Sequence, residues 1–234
     1  MAVLKEPKDG DRLDSLDSFY PTELIVVGRT GHEEMERTVT SYGYMIQGAA
    51  NVHAAGLSAR LEAGGFFCLP GRFSLTVDGL FAVIRRLGYI GQTVIGRIED
   101  RGRLSYIDGC SDSQLVYPPR MGDPCLNYLH FPPGVHQTQH THPSIRMGIV
   151  ARGRGKAFRE PAKGNSGWEQ DLTQGCVFLL PEQEQHSFRT TETDCEMDVI
   201  AYHPDSDIGP TDAAHPMRSR TYIGNDRNGR PTGG

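Results

Sequence analysis

The sequence predicts an all-β protein, and three observations carry that expectation. Short apolar runs (ELIVVG, YGYMIQG, FFCLPG, LFAVIRR, QTVIGRI) recur from Leu24 onward between Gly, Asn and Asp turns. The 234 residues include 28 Gly and 15 Pro, a usage that suits many tight turns and opposes long helices. Few stretches sustain the period of an amphipathic helix.

Along the chain, residues 1–20 are charged and poor in core material, and read as an N-terminal arm. A first unit follows over 21–116 and holds the five runs just quoted. The stretch SDSQLVYPPRMGDP, 111–124, carries the densest turn chemistry in the middle of the chain and marks a boundary. A second unit is then expected over 117–210. Beyond His203 turn formers dominate, so 211–234 reads as a tail whose last ten residues or so are disordered. A chain of this length can bury a core in each of two small units.

Formal net charge is −5, which argues against a nucleic-acid partner. The pair Arg85-Arg86 reads as solvated surface. The five cysteines, Cys68, Cys110, Cys125, Cys176 and Cys195, are scattered, odd in number and form no C-x-x-C. That disfavours a disulfide framework or a structural zinc site and suggests reduced thiols. The polar start MAVLKEPKDGDRLDS has no signal-peptide core, and the longest apolar runs are too short to span a bilayer. A cytoplasmic protein without a membrane or nucleic-acid partner is expected.

The stretch 134–153, GVHQTQHTHPSIRMGIVARG, concentrates three histidines within seven positions. Side chains two apart on a strand share a face, so His140 and His142 would project together. Two imidazoles so placed can be adjacent metal ligands. A third must come from elsewhere, and His186 in GCVFLLPEQEQHSF, after an apolar run and a Pro-containing turn, is the best candidate. By the same parity His136 falls on the face of His140, near the rim, as a further ligand, a proton donor or a pocket residue. Tyr128 and His130 could line the same pocket, and Glu182 or Glu184 could act as a base. His203 and His215, beside prolines, read as loop residues.

These spacings resemble the cupin superfamily. Gly134, His140-Thr141-His142, Arg146 and Gly153 match its first motif, G(X)5HXH(X)3–4E(X)6G, except at the glutamate. Gly175, Pro181 and His186 match its second, G(X)5PXG(X)2H, with Gln183 at the usual glycine. The first half repeats both spacings in decayed form: Gly28, Glu34-Met35-Glu36, Ser41 and Gly48, then Gly64 and Pro70, with Leu75 where the histidine would fall. The resemblance implies tandem double-stranded β-helix barrels, a bicupin, with a metal only in the second. Glu34 and Glu36 then read as solvated or interface residues.

Neutral imidazoles suit iron, copper, zinc, nickel and sometimes manganese, and the resemblance makes one Fe2+ per chain the expected ion. Among cupins, loss of the motif glutamate accompanies three-histidine dioxygenases, so the resemblance implies a non-haem iron dioxygenase acting on a small organic acid. An isomerase or lyase using the metal as Lewis acid, or a non-catalytic ligand binder, are the competing readings. Arg146, at the glutamate's position, would be repelled by a metal at about 5 Å by roughly 3 kcal/mol at an effective dielectric of 20. Either a substrate carboxylate offsets that repulsion, or Arg146 pairs with Glu160, Glu184 or Glu196. Dioxygen and a small anionic acid are the expected partners, and a homodimer is expected from the resemblance.

Overall fold

The structure, a computed structural model, describes residues 2–29, 31–162, 164, 166–191 and 196–206. Its strands run β1 (Val3–Lys5), β2 (Arg12–Ser15), β3 (Thr22–Val27), β4 (His32–Glu34), β5 (Val39–Ala54) and β6 (Leu57–Glu62). They continue as β7 (Gly65–Pro70), β8 (Phe73–Leu87), β9 (Val94–Arg97), β10 (Leu104–Ser105), β11 (Ser111–Val116) and β12 (Cys125–Phe131). The last are β13 (Arg146–Arg159), β14 (Trp168–Thr173), β15 (Val177–Leu180), β16 (Ser187–Arg189) and β17 (Met197–His203). The all-β expectation holds. One sheet has the order β2-β3-β8-β5-β7-β9, with β4 on β8 and β6 on β5. The other runs β1-β15-β13-β17-β12-β11-β10, with β14 and β16 on β13.

Alternation of side chains explains why several strands read as unbroken apolar runs. In β17, Val199 and Ala201 face a core inside the second sheet, with Leu129, Val150 and Phe178. Ile200 and Tyr202 face the opposite way, into a core shared with Tyr42, Tyr44 and Ile84 of the first sheet. Strands buried on both faces need apolar residues at every position. The first sheet encloses a third core, around Met45, Phe67 and Phe81. Two interiors thus flank one interface, where the Tyr42 and Tyr202 rings meet at 4.9 Å.

The two sheets repeat each other. Irregularities fall at Met45/Gln47 in β5 and Val150/Arg152 in β13, 150 − 45 = 105 residues apart. At the same offset, Gly43 lies under Phe67 and Gly148 under Phe178. A Cβ would stand 2.4 Å from the first ring and 2.3 Å from the second. The motif glycines Gly48 and Gly153 both have positive φ, +89° and +70°, the conformation a glycine adopts without strain. Edge strands are exchanged between the sheets. β1, which precedes the first sheet, pairs with β15 of the second, and β9, which precedes the second, pairs with β7 of the first.

The arm 1–20 supplies β1 and β2. The pairings revise the sequence reading in four places. Strand β11 was expected in the first unit but pairs with β12, so the chain passes between sheets near 98–103. Turn formers at 117–124 close a hairpin rather than separate domains; local chemistry is the same for both. Arg85 is not solvated: it bonds Glu23 and Glu34, and its side chain is 15 % exposed. The residue at the place of His186 is Phe73, not Leu75. Phe73 pairs with Ala54 and Leu75 with Val52, whereas Phe188 pairs with Ala157, the residue equivalent to Val52. The tail 211–234 and His215 lie outside the described residues. The four described cysteines are buried free thiols, and no helix among the described residues is long and apolar enough to cross a membrane.

Candidate metal centre

Between β12 and β13 the chain forms no regular strand, yet it is held by single bridges. His140 and His186 exchange both backbone hydrogen bonds at 3.0 Å, and Gln183 N donates to His142 O at 2.9 Å. These bonds dock the Pro181–Gln185 turn against the His-Thr-His segment. The three imidazoles converge, with their ligand nitrogens all within 4.8 Å of one another.

The donor chemistry fits a metal ion. His140 Nδ1 lies 2.9 Å from Thr138 O, and His186 Nδ1 lies 2.8 Å from Glu184 O. A carbonyl only accepts, so each Nδ1 carries the proton and each Nε2 keeps its lone pair. Bonds of roughly 2.0–2.2 Å put such nitrogens about 3–3.5 Å apart, which these rings reach by small rotations. Burial, then the neighbouring His140 and Arg146 charges, pull the His186 ring down to about 3. A ring already neutral has no proton to surrender on binding a metal.

Above the imidazoles lies a cavity of about 30 Å³, room for one or two waters. Asn127, Gln137, Arg146 and His203 give it polar walls, and Phe178 and Phe188 apolar ones. Arg146 opens β13 on the inward face, 2 % exposed. Its Nη1 donates to Ser144 Oγ at 2.8 Å and to the carbonyls of Ser144 and Ile145 at 3.1 and 2.8 Å.

Of the residues singled out from sequence, His140, His142, His186 and Arg146 come together and His136 does not. His136 is exposed, its ring against Phe158 at 4.9 Å and its Nε2 3.9 Å from Glu160. The reason is a slip in register. His136 bridges Arg189 and His140 bridges His186, sums of 325 and 326, so one extra residue lies between them. That residue flips the parity, and Gln137 faces inward in place of His136. Tyr128 and His130 also turn away, because Asn127 and Leu129 hold the inward positions of β12. Glu184 holds Arg159 at 2.8 Å and the Trp168 indole at 3.2 Å, and so fixes the turn.

His203 was read as a loop residue but ends β17 inside the cavity, its ring 6.1 Å from that of His142. The signal was present in MDVIAYH, where Met197, Val199, Ala201 and His203 alternate with outward-facing neighbours.

The first sheet carries different chemistry at equivalent register. Glu34 takes the place of His140, Ser41 of Arg146 and Arg85 of His203. Glu34 was expected to be a solvated or interface residue; it is buried, 2 % exposed, and bound through both oxygens to Arg85. Glu36 is exposed, with its amide on Glu34 Oε1 at 2.9 Å.

No family model and no curated protein matches the chain. Solved structures do. A cupin 2 conserved barrel domain protein from Leptotrichia buccalis matches with TM-score 0.57 and 15 % identity, over 84 % of this chain and 91 % of that one. A putative glyoxylate-induced protein from Pseudomonas aeruginosa gives 0.61 and 13 %, over 85 % and 81 %. Oxalate decarboxylase from Bacillus subtilis, described with Mn(II) centres, gives 0.52 and 12 %, over 87 % and 75 %. At such identities the likeness speaks for architecture alone, and that architecture is the cupin fold.

Proposed function

We propose that the chain is a bicupin enzyme with one divalent metal, held by His140, His142 and His186 of the second barrel. Its reaction is the oxidation of a small organic acid by dioxygen. The observation that carries the reading is the convergence of three imidazoles, with ligand nitrogens within 4.8 Å of one another and two rings fixed by backbone carbonyls, at a small cavity that Arg146 also lines. Ferrous iron bound there would supply open positions for both acid and dioxygen. Arg146 would hold the acid's carboxylate, a charge-assisted contact made without water competing. Gln137 and Asn127 would orient the remaining oxygens, and His203 stands where a proton can be taken or returned. Phe178 and Phe188 exclude water from the reacting atoms. A cavity this small favours acids of a few heavy atoms over aromatic rings.

A second reading, a lyase or isomerase that uses the metal as Lewis acid, draws support from the likeness to oxalate decarboxylase. The deciding experiment is metal analysis of protein purified without added metal, followed by oxygen-uptake measurements with small carboxylic acids. One iron per chain and stoichiometric oxygen uptake are expected. Turnover without oxygen uptake would favour the second reading. A His186→Ala variant that kept its metal would overturn both.

A further inference from the structure

A second groove, of about 390 Å³, lies away from the metal cavity, where residues 101–111 pass over β12. Its lining includes Arg101, Arg103, Ser105, Ser111 and His130, and no Asp or Glu among the described residues. The lining itself is positive, with Glu99 pairing Arg103 and Asp108 acting on Cys110 from just outside it. The loop bearing the arginines is pinned. Gly102 N donates to Ser111 Oγ at 3.0 Å and Arg103 N to Ser113 Oγ at 2.9 Å. Arg103 gives its Nε and Nη2 to Glu99 in an exposed bidentate pair, which leaves Nη1 toward the groove's ligand.

His130 forms the groove's buried wall, 6 % exposed. Its Nδ1 lies 2.8 Å from Asp198 Oδ1, and Asp198, fully buried, is bound on its other oxygen by Arg152. Arg152 is fixed in turn by Tyr128 Oη at 2.9 Å and by Glu99 O at 3.0 Å. A carboxylate paired with a guanidinium only accepts, so Nδ1 carries a proton and, in the neutral ring, Nε2 keeps its lone pair. Nε2 has no hydrogen-bond partner among the described residues. Cys110, on the same wall, is a thiol that burial pushes up to about 12, which suits a binding groove rather than a thiol-reactive one.

We infer that this groove is a second ligand site, for an oxyanion that still carries an O–H at neutral pH: inorganic phosphate. Arg101 and Arg103 donate to its charged oxygens, and its hydroxyl donates to His130 Nε2. The volume falls in the range of small-metabolite pockets. The site is independent of the metal and of the reaction proposed for it.

Calorimetric titration of metal-loaded protein at neutral pH with inorganic phosphate, and separately with sulfate at equal ionic strength, tests the assignment. One phosphate per chain is expected, retained in Arg146→Gln. Sulfate, which has no O–H at this pH, should bind roughly tenfold more weakly, as should phosphate to an Arg101→Gln/Arg103→Gln variant. His130→Gln, checked for unchanged metal content, should lose the preference for phosphate over sulfate. If that variant does not fold, the arginine variant, altered only at the loop, still decides. Sulfate binding as tightly as phosphate, unchanged affinity in the arginine variant, or loss of binding in Arg146→Gln would each overturn the inference.

Discussion

The two halves place different charges on one backbone plan. In the second half three imidazoles surround an inward-facing point, and neutral rings can be buried there without a counter-ion. In the first half carboxylates take such positions: Glu23 and Glu34 close on Arg85. Buried carboxylates require a cation, and here the chain supplies it covalently. The difference teaches that the strand register fixes where a polar cluster forms, while side-chain type decides whether the cation comes from the chain or from solution.

The largest expected effect tests the closed half. Arg85→Ala leaves Glu34 buried without its guanidinium and Glu23 with only the exposed Arg12, and should cost about 3–5 kcal/mol in denaturant unfolding. Replacing all three residues together, Arg85→Met with Glu23→Leu and Glu34→Leu, should recover most of that loss. Metal stoichiometry should stay at one per chain; two ions in wild-type protein would break the contrast.

Next comes the open half. Arg146→Gln should leave metal content unchanged and weaken binding of the acid by about 2–4 kcal/mol, measured by titration. Arg146→Glu should raise metal affinity and lower turnover. An unchanged affinity for the acid in Arg146→Gln would assign the arginine to structure.

Removal of residues 2–6 sharpens the contrast between edges. It strips β1 from β15 but leaves β9 on β7, and should cost about 2 kcal/mol for the lost backbone bonds and packing. Hydrogen exchange should rise at Val177–Leu180 and not at Gly65–Pro70. Equal acceleration at both edges would mean that the two halves unfold as one.

The smallest effect concerns His32, which faces Leu75 in the first half. Burial lowers its ring below the ordinary value near 6.5, with Glu34 opposing and Arg85 and Arg12 assisting. The unfolded chain therefore binds this proton more readily. The stabilising contribution is present above pH 6.5 and fades as pH falls through the lowered value. Comparing His32→Leu with wild type between pH 7 and 5 should show a shallower loss of stability in the variant.

Much of this contrast is legible in the sequence. The His-Thr-His pair, His186 and the offset between motif glycines follow from spacing alone, since a repeated backbone needs glycine wherever φ is positive. Arg146 was visible as a departure from the motif. What failed were inferences carried across irregular chain. His136 was assigned inward by counting in twos through a segment holding one extra residue, and Leu75 by counting through a turn that is shorter in the first half. Arg85 looked like surface because its carboxylate partners, Glu23 and Glu34, lie 62 and 51 residues away in sequence.

The sequence by itself determined the all-β architecture, the offset between the motif glycines and the meeting of His140, His142 and His186, because these rest on local periodicity and fixed spacings. Only the tertiary structure decided which sheet receives β1, β9 and β11, which polar residues join the triad, and that the first half is sealed by an ion pair. Those outcomes depend on register between strands far apart in the chain. A shift of one residue reverses every side chain on a strand, and nothing local in the sequence records it.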